Sequence, residues 1–230
     1  MKNGAEKASK VKKWAILLFM LVLVPAAMFL FWGSVGNYSY LPYIGEREAL
    51  APGDTAYFTV PPFHFTDEDG KPFTDKDVEN KVLVVDFFFT RCTSICPKMS
   101  VQMQQLQLQL DGHEYDDVLF LSHTVDPEHD TPEVLKAYAK RLEADPKRWK
   151  FLTGNAPDIY RQGNLGYLLS ASAGSSAAEN FVHSPQFVLV DKRHHIRGMY
   201  DGTSTDAMRD LMTDLNMLLR EEHDRAKKRS

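Results

Sequence analysis

The chain has 230 residues with 43% hydrophobic and 25% charged side chains, enough for one medium domain plus accessory segments. Its formal net charge is −4, and its basic clusters are confined to the two ends, so nothing in the charge pattern points to nucleic acid. Two cysteines, Cys92 and Cys96, are too few for a disulfide framework, so their spacing carries more weight than their number.

Residues 1–13 carry five lysines against Glu6, a net +4, which leaves −8 for residues 14–230. Residues 14–32, WAILLFMLVLVPAAMFLFW, form a run of nineteen without a charge, bracketed by Trp14 and Trp32. That length spans a bilayer as a helix, and tryptophan suits both interfaces. The preceding lysines favour a cytoplasmic N-terminus and an exported C-terminal domain. A cleaved signal peptide is the rival; the run is long for one, and no small-x-small cleavage site follows it. Residues 33–56, with Gly33, Gly36, Pro42, Gly45, Pro52 and Gly53, read as a linker.

The expected domain covers residues 57–222. Two short apolar runs flank Asp67-Glu68-Asp69-Gly70, a hairpin signature, and Thr74 to Val78 can start a brief helix. Val82 to Phe89 reads as a buried strand, and Lys98 to Leu110 as a helix with Met99, Met103, Leu106 and Leu110 at helical spacing. Asp111-Gly112 ends it. Val118 to Val125 is a second buried strand, followed by a turn-rich loop, Asp126 to Pro132. Thr131 and Pro132 suit the cap and first position of the next helix. Residues 149–152 suggest a short strand, 156–166 a helix, and Ser170 to Ser176 a flexible insert. Strands then begin after Pro185 and at Ile196, with His194-His195 at the hairpin tip. A final amphipathic helix carries Met208, Leu211, Met212, Leu215 and Leu218. Residues 223–230, with Arg225-Ala-Lys-Lys-Arg229, read as a basic, frayed tail. A βαβ unit followed by a ββα unit is the thioredoxin arrangement, so the fold class is α/β and thioredoxin-like, with an N-terminal hairpin extension and one preceding transmembrane helix.

Chemistry collects outside the carboxyl ends of parallel strands, where the thiol loop and the 126–130 loop both fall. A thiol near a helix N-terminus is biased toward thiolate, the form that binds soft metals and attacks disulfides. In this arrangement His183 can approach the two thiols although it is distant in sequence. Two thiolates and an imidazole make a soft three-donor site that selects Cu(I), and the imidazole also helps hold Cu(II), whereas structural zinc asks for a fourth ligand. Asp126 either orients His183 or the loop, or is a turn residue only. The other histidines, His64, His113, His123, His129, His194, His195 and His223, have no matching partners and read as surface or loop residues. The same dithiol supports thiol–disulfide exchange. Peroxidase chemistry needs an arginine beside a lone thiolate, and Arg91 is the near candidate. An inert disulfide in a membrane-anchored interaction module is the remaining reading.

The sequence resembles the SCO/SenC family. Phe88 to Pro97 is similar to its Cys-x-x-x-Cys-Pro signature, and Thr124 to Pro132 to its Asp-Pro-x-x-Asp-Thr-Pro segment. Phe181-Val-His183-Ser with Phe187 to Asp191 is similar to its histidine and following strand, and Asp67 to Thr74 to its hairpin. The resemblance covers roughly residues 57–220. It implies a membrane-tethered, thioredoxin-like domain that binds one copper through Cys92, Cys96 and His183. The implied role is assembly of the copper A site of cytochrome c oxidase, by copper delivery or by reduction of the client's cysteines. The sequence departs from the family pattern at Thr93, where proline often follows the first cysteine, and at His129, where arginine is common. The expectation is an assembly factor rather than a classical enzyme. Its rival is an oxidoreductase that uses Cys92 and Cys96 as a redox pair to keep exported client cysteines reduced.

Overall fold

A computed structural model describes Trp14, residues 19–25, Met28, and residues 40–51, 54–169 and 184–229. The chain divides into two units, Met1–Tyr40 and Leu41–Ser230. In the first, Trp14, residues 19–25 and Met28 are helical. Among the described residues no helix is long and apolar enough to cross a membrane. The expected insert at 170–176 and His183 lie outside the described residues.

The second unit is built on a five-stranded sheet. Its strands are β5 (Val82–Phe88), β6 (Val118–Thr124), β7 (Trp149–Leu152), β8 (Gln186–Val190) and β9 (Ile196–Asp201). They lie in the order β7-β6-β5-β8-β9. β5, β6 and β7 are parallel, and β8 and β9 run antiparallel to them. This is the βαβ and ββα arrangement that the sequence pattern predicts. Two short hairpins precede it, β1 (Arg47–Ala51) with β2 (Asp54–Tyr57) and β3 (His64–Thr66) with β4 (Pro72–Thr74).

Every residue of β5 and β6 is buried, because both faces of the sheet are covered. Side-chain alternation sends Val82, Val84, Phe88, Val118 and Phe120 into one core and Leu83, Val85, Phe87, Leu119 and Leu121 into the other. The first core is closed by α1 (Cys96–Gln109), α2 (Pro132–Arg141) and α4 (Thr205–Arg229). They supply Met99, Met103, Leu106, Leu135, Tyr138, Met208, Leu211, Leu215 and Leu218. These include the stripes expected at helical spacing, so Met99 and Met103, both fully buried, are core residues. The second core is closed by the β3–β4 hairpin and by α3 (Ala156–Arg161), which runs on into a π-helical turn, Gln162–Gly166.

Two expectations change. The described part of the 33–56 segment is not a free linker: Leu41 is buried, the Ile44 amide bonds the Ile196 carbonyl at 2.9 Å, and β1 (Arg47–Ala51) pairs with β2 (Asp54–Tyr57). Its few apolar residues are spread among glycines and prolines, which hides the packing. At Gly45 the backbone has φ +111°, and an added Cβ would lie 2.6 Å from the Phe58 Cβ, so glycine is required there. The tail is not frayed either: α4 runs to Arg229, supported by Arg225 pairing with Glu221 and Glu222 one turn back.

Candidate functional site

β5 delivers its last residues to the carboxyl edge of the sheet. The chain then turns, with the Cys92 amide bonded to the Phe89 carbonyl at 3.1 Å. α1 begins at Cys96, with Pro97 in its first turn, where a missing N–H leaves no bond unmade. Cys92 is therefore in the loop and Cys96 at the helix start, and the loop brings the sulfurs together.

The two thiols have opposite environments. Cys96 is 3% exposed and packs in the first core, whereas Cys92 is partly exposed. Partial burial pushes the Cys92 thiol up, but the Cys96 thiol and amide and the Ser94 hydroxyl and amide all donate toward its sulfur. The net effect lowers it to about 7. Its sulfur lies 3.6 Å from the Ser94 Oγ. Burial, and donation of its own proton toward Cys92, push Cys96 up to about 12. One thiolate near neutral pH thus faces one retained thiol, on a helix N-terminus that favours negative charge.

Two aspartates of the 126–130 loop hold the thiol loop. Asp130 is fully buried and accepts from the Thr90 amide at 3.0 Å, from the Thr90 hydroxyl, and from the Thr124 hydroxyl at 2.5 Å. Asp126 accepts from Arg91, Nη2 at 2.5 Å and Nε at 3.2 Å, so it orients the loop ahead of Cys92. Arg91, the candidate arginine beside the thiols, is thereby engaged with Asp126. The sequence pattern singles out Asp126 over Asp130. Asp130 is the more deeply committed, and the two threonines at the strand ends were the available signal.

Behind the thiols, Asp86 of β5 is buried beneath the first core. It accepts from the Ser122 hydroxyl at 2.5 Å, and Ser122 in turn accepts from the Trp149 indole at 2.8 Å. Desolvation raises its carboxyl to about 7. A charged residue within a β-branched run is the signal that a scan for hydrophobic strands passes over.

His123 overturns its reading as a surface or loop residue. It is fully buried, and both ring nitrogens lack a hydrogen-bond partner. Its ring stacks on Phe87 at 4.9 Å and 14°, with Phe65 at 5.1 Å and Tyr167 at 5.8 Å. Burial lowers its pKa to about 3. Alternation along β6, which places His123 in phase with Leu119 and Leu121, was the signal. His64, His113, His129 and His223 are exposed, and His194 sits in the β8–β9 turn with φ 65°.

Among the described residues no three His, Cys, Asp or Glu side chains cluster as a metal site. Two facing sulfurs, one held as thiolate, do suit a soft ion. Comparison with known proteins shows the family. The SCO1/SenC pattern matches residues 52–220. The chain belongs to the SCO1/SenC family. Within it, the chain is 30% identical over 162 residues to the SCO1 protein homolog of Bacillus subtilis, covering 70% of this chain and 83% of that one. Its fold is similar to BsSco, described as a Sco-family cytochrome c oxidase assembly protein with a disulfide switch. There the TM-score is 0.60 and the identity 30%, covering 71% of this chain and 94% of that one. It is also similar to ScoI of Bradyrhizobium japonicum with copper bound, at TM-score 0.51 and 25% identity, covering 68% and 99%.

Proposed function

We propose that this SCO1/SenC protein is a membrane-anchored copper carrier that helps metallate the copper A site of cytochrome c oxidase. The observation that carries the reading is the split acidity of Cys92 and Cys96 on a loop clamped by Asp126 and Asp130. Copper is the cargo. Cys92 and Cys96 are its sulfur donors and His183 its third donor. The register of β8 against β5 supports this, because it brings Pro185 and the start of β8, two residues after His183 in sequence, to the thiol end of the sheet. Cys92 offers a thiolate at neutral pH; Cys96 gives up its proton only when the ion arrives. An ion held by a partly exposed sulfur can pass by ligand exchange, as client thiolates replace these donors one at a time. Copper-bound ScoI adds support from within the family.

The anchor is residues 14–32, with the N-terminus cytoplasmic and the Leu41–Ser230 unit exported. Residues 19–24 support this: Phe19, Met20, Leu21, Val22, Leu23 and Val24 are helical, consecutive and 47–71% exposed, an apolar surface on every side.

The test is a Cu(I) titration of the reduced full chain in detergent against a competing chelator. One equivalent held tightly, and weakened by Cys92→Ser and by His183→Ala, is the expected result. Equal, weak retention by all three proteins would remove the copper reading.

The same asymmetry favours a second reading, a thiol–disulfide oxidoreductase in which Cys92 attacks and Cys96 resolves. Here His183→Ala leaves exchange with a client disulfide nearly intact.

A further inference from the structure

The face of the sheet away from α1 carries a groove that the thiol chemistry does not use. The β3–β4 hairpin and the 3-10 turn Asp75–Val78 form one lip, tied together where the Asp75 amide bonds the Phe63 carbonyl at 3.3 Å. α3 and the π-helical turn Gln162–Gly166 form the other. Between them lies an open groove of about 640 Å³. Its floor is apolar, made by Phe63 and Phe65 of the second core. Pro61 and Pro62 are exposed on the first lip, and Leu165 is 64% exposed on the second. An exposed leucine alone is ordinary. This one stands on a π-helical turn, a form rare in helices and frequent at functional sites, beside an apolar recess.

The charges around the groove restrict what fills it. Each lip bears one carboxylate and one cation, Asp75 and Lys76 on the first, Asp158 and Arg161 on the second. Asp158 and Arg161 pair at 2.7 Å, but they are 46% and 67% exposed, so that pair is weak and open to exchange. An acidic partner meets a carboxylate on each lip, and a basic partner meets a cation. A surface with both signs on both lips matches its own copy turned through a half-rotation.

We propose that the groove is the contact between two copies of this chain, closed about a two-fold axis that runs along it. That axis lays the first lip of each copy on the second lip of the other. Leu165 then packs on Pro61 and Pro62 of the partner subunit, Lys76 faces Asp158 of the partner subunit, and Arg161 faces Asp75 of the partner subunit. The leucine supplies the apolar burial, and the charges set the register. Cys92 packs against the first core, on the other face of the sheet, so both dithiols stay open to clients in the pair. The contact is small, which suits a reversible dimer in the micromolar range rather than a permanent one.

The experiment sediments the full chain in density-matched detergent, from submicromolar to high micromolar concentration. Reductant is present, so no intermolecular disulfide forms. A monomer–dimer equilibrium is expected, weakened roughly tenfold or more by L165E. K76E and D158K each set like charges against one another and should each weaken it; K76E/D158K restores opposite charges and should recover most of the loss. Near-UV dichroism should match the parent in all four variants. A chain that stays monomeric throughout overturns the proposal. So does an association that L165E leaves unchanged, which places the contact elsewhere, residues 14–32 included. Charge variants whose losses simply add, with no recovery in K76E/D158K, overturn it as well.

Discussion

Asp86 and His123 sit one register step apart on neighbouring strands, and the sheet sends them into opposite cores, Asp86 across from Ser122 and His123 across from Phe87. Both are buried in uncharged form and titrate with opposite effect on stability. His123 has its folded pKa lowered from 6.5 to about 3, so its contribution is present above 6.5 and lost as pH falls toward 3. Asp86 has its folded pKa raised from 3.8 to about 7, so its contribution is present below 3.8 and lost as pH rises toward 7. Each changes stability by roughly 1.4 kcal/mol per pH unit inside its window. Between about pH 4 and 6.5 the two slopes cancel. Urea unfolding across that range should show His123→Phe gaining stability as pH falls and Asp86→Asn losing it. Parallel profiles for both variants and the parent would refute the pairing.

The thiols give a second pH dependence. In the reduced, metal-free protein, alkylation of Cys92 should follow a titration centred near pH 7, while Cys96 stays unmodified well above it. Peptide mass spectrometry separates the two sites. Cys96→Ala removes the thiol that donates to Cys92 and should move the Cys92 midpoint upward. Cys96→Ser keeps a donor and should move it less. Identical midpoints in both variants would mean that Cys96 does not set the acidity of Cys92.

Most of this site was legible as a pattern. The buried strand ending in Cys92 and Cys96, Pro97 at the helix start and the aspartate loop after β6 all rest on local signals, spacing and turn chemistry, and the structure keeps them. The parts that escaped depend on contacts distant in sequence. His123 looks like a strand-end polar residue until the aromatic rings of the β3–β4 hairpin and Tyr167 close over it. Leu41 to Ile44 look like linker because their partners, Arg197 and Ile196, lie about 150 residues later. The reach of α4 to Arg229 depends on Arg225 finding Tyr43.

The two loop aspartates should differ sharply on substitution. Asp130 is buried and satisfies three donors, so Asp130→Ala leaves the Thr90 amide and two hydroxyls unpaired. That should cost about 2–4 kcal/mol and loosen the thiol loop. Asp126 and Arg91 meet in partial solvent, with Arg91 61% exposed, and Asp126→Ala should cost about 1 kcal/mol or less. Urea midpoints report the first effect. The alkylation rate of Cys92 reports loop order, and it should change more in Asp130→Ala than in Asp126→Ala. Equal destabilisation by both substitutions would count against a buried clamp.

At the opposite pole, Arg197 has no exposed side-chain surface. It pairs with Asp191 at 3.1 Å and Glu221 at 2.9 Å, and lies 4.3 Å from the Tyr43 ring centre. Arg197→Met removes the fully buried cation that bridges two buried carboxylates, leaving Asp191 to Arg193 and Glu221 to Arg225, and removes the donor to two backbone carbonyls. A loss of about 3 kcal/mol is expected, because two buried carboxylates lose their most buried partner and keep only the partly exposed arginines at the edge of the network. Glu221→Leu in the same chain should restore part of it, since one of the two under-compensated carboxylates goes with the arginine. The double variant should therefore be more stable than the sum of the two single changes. Because this network lies at the far end of β5, the Cys92 alkylation profile should stay as in the parent wherever the variants remain folded. Strict additivity of the two changes in urea would show that Arg197 and Glu221 act independently, against the shared burial that the structure assigns them.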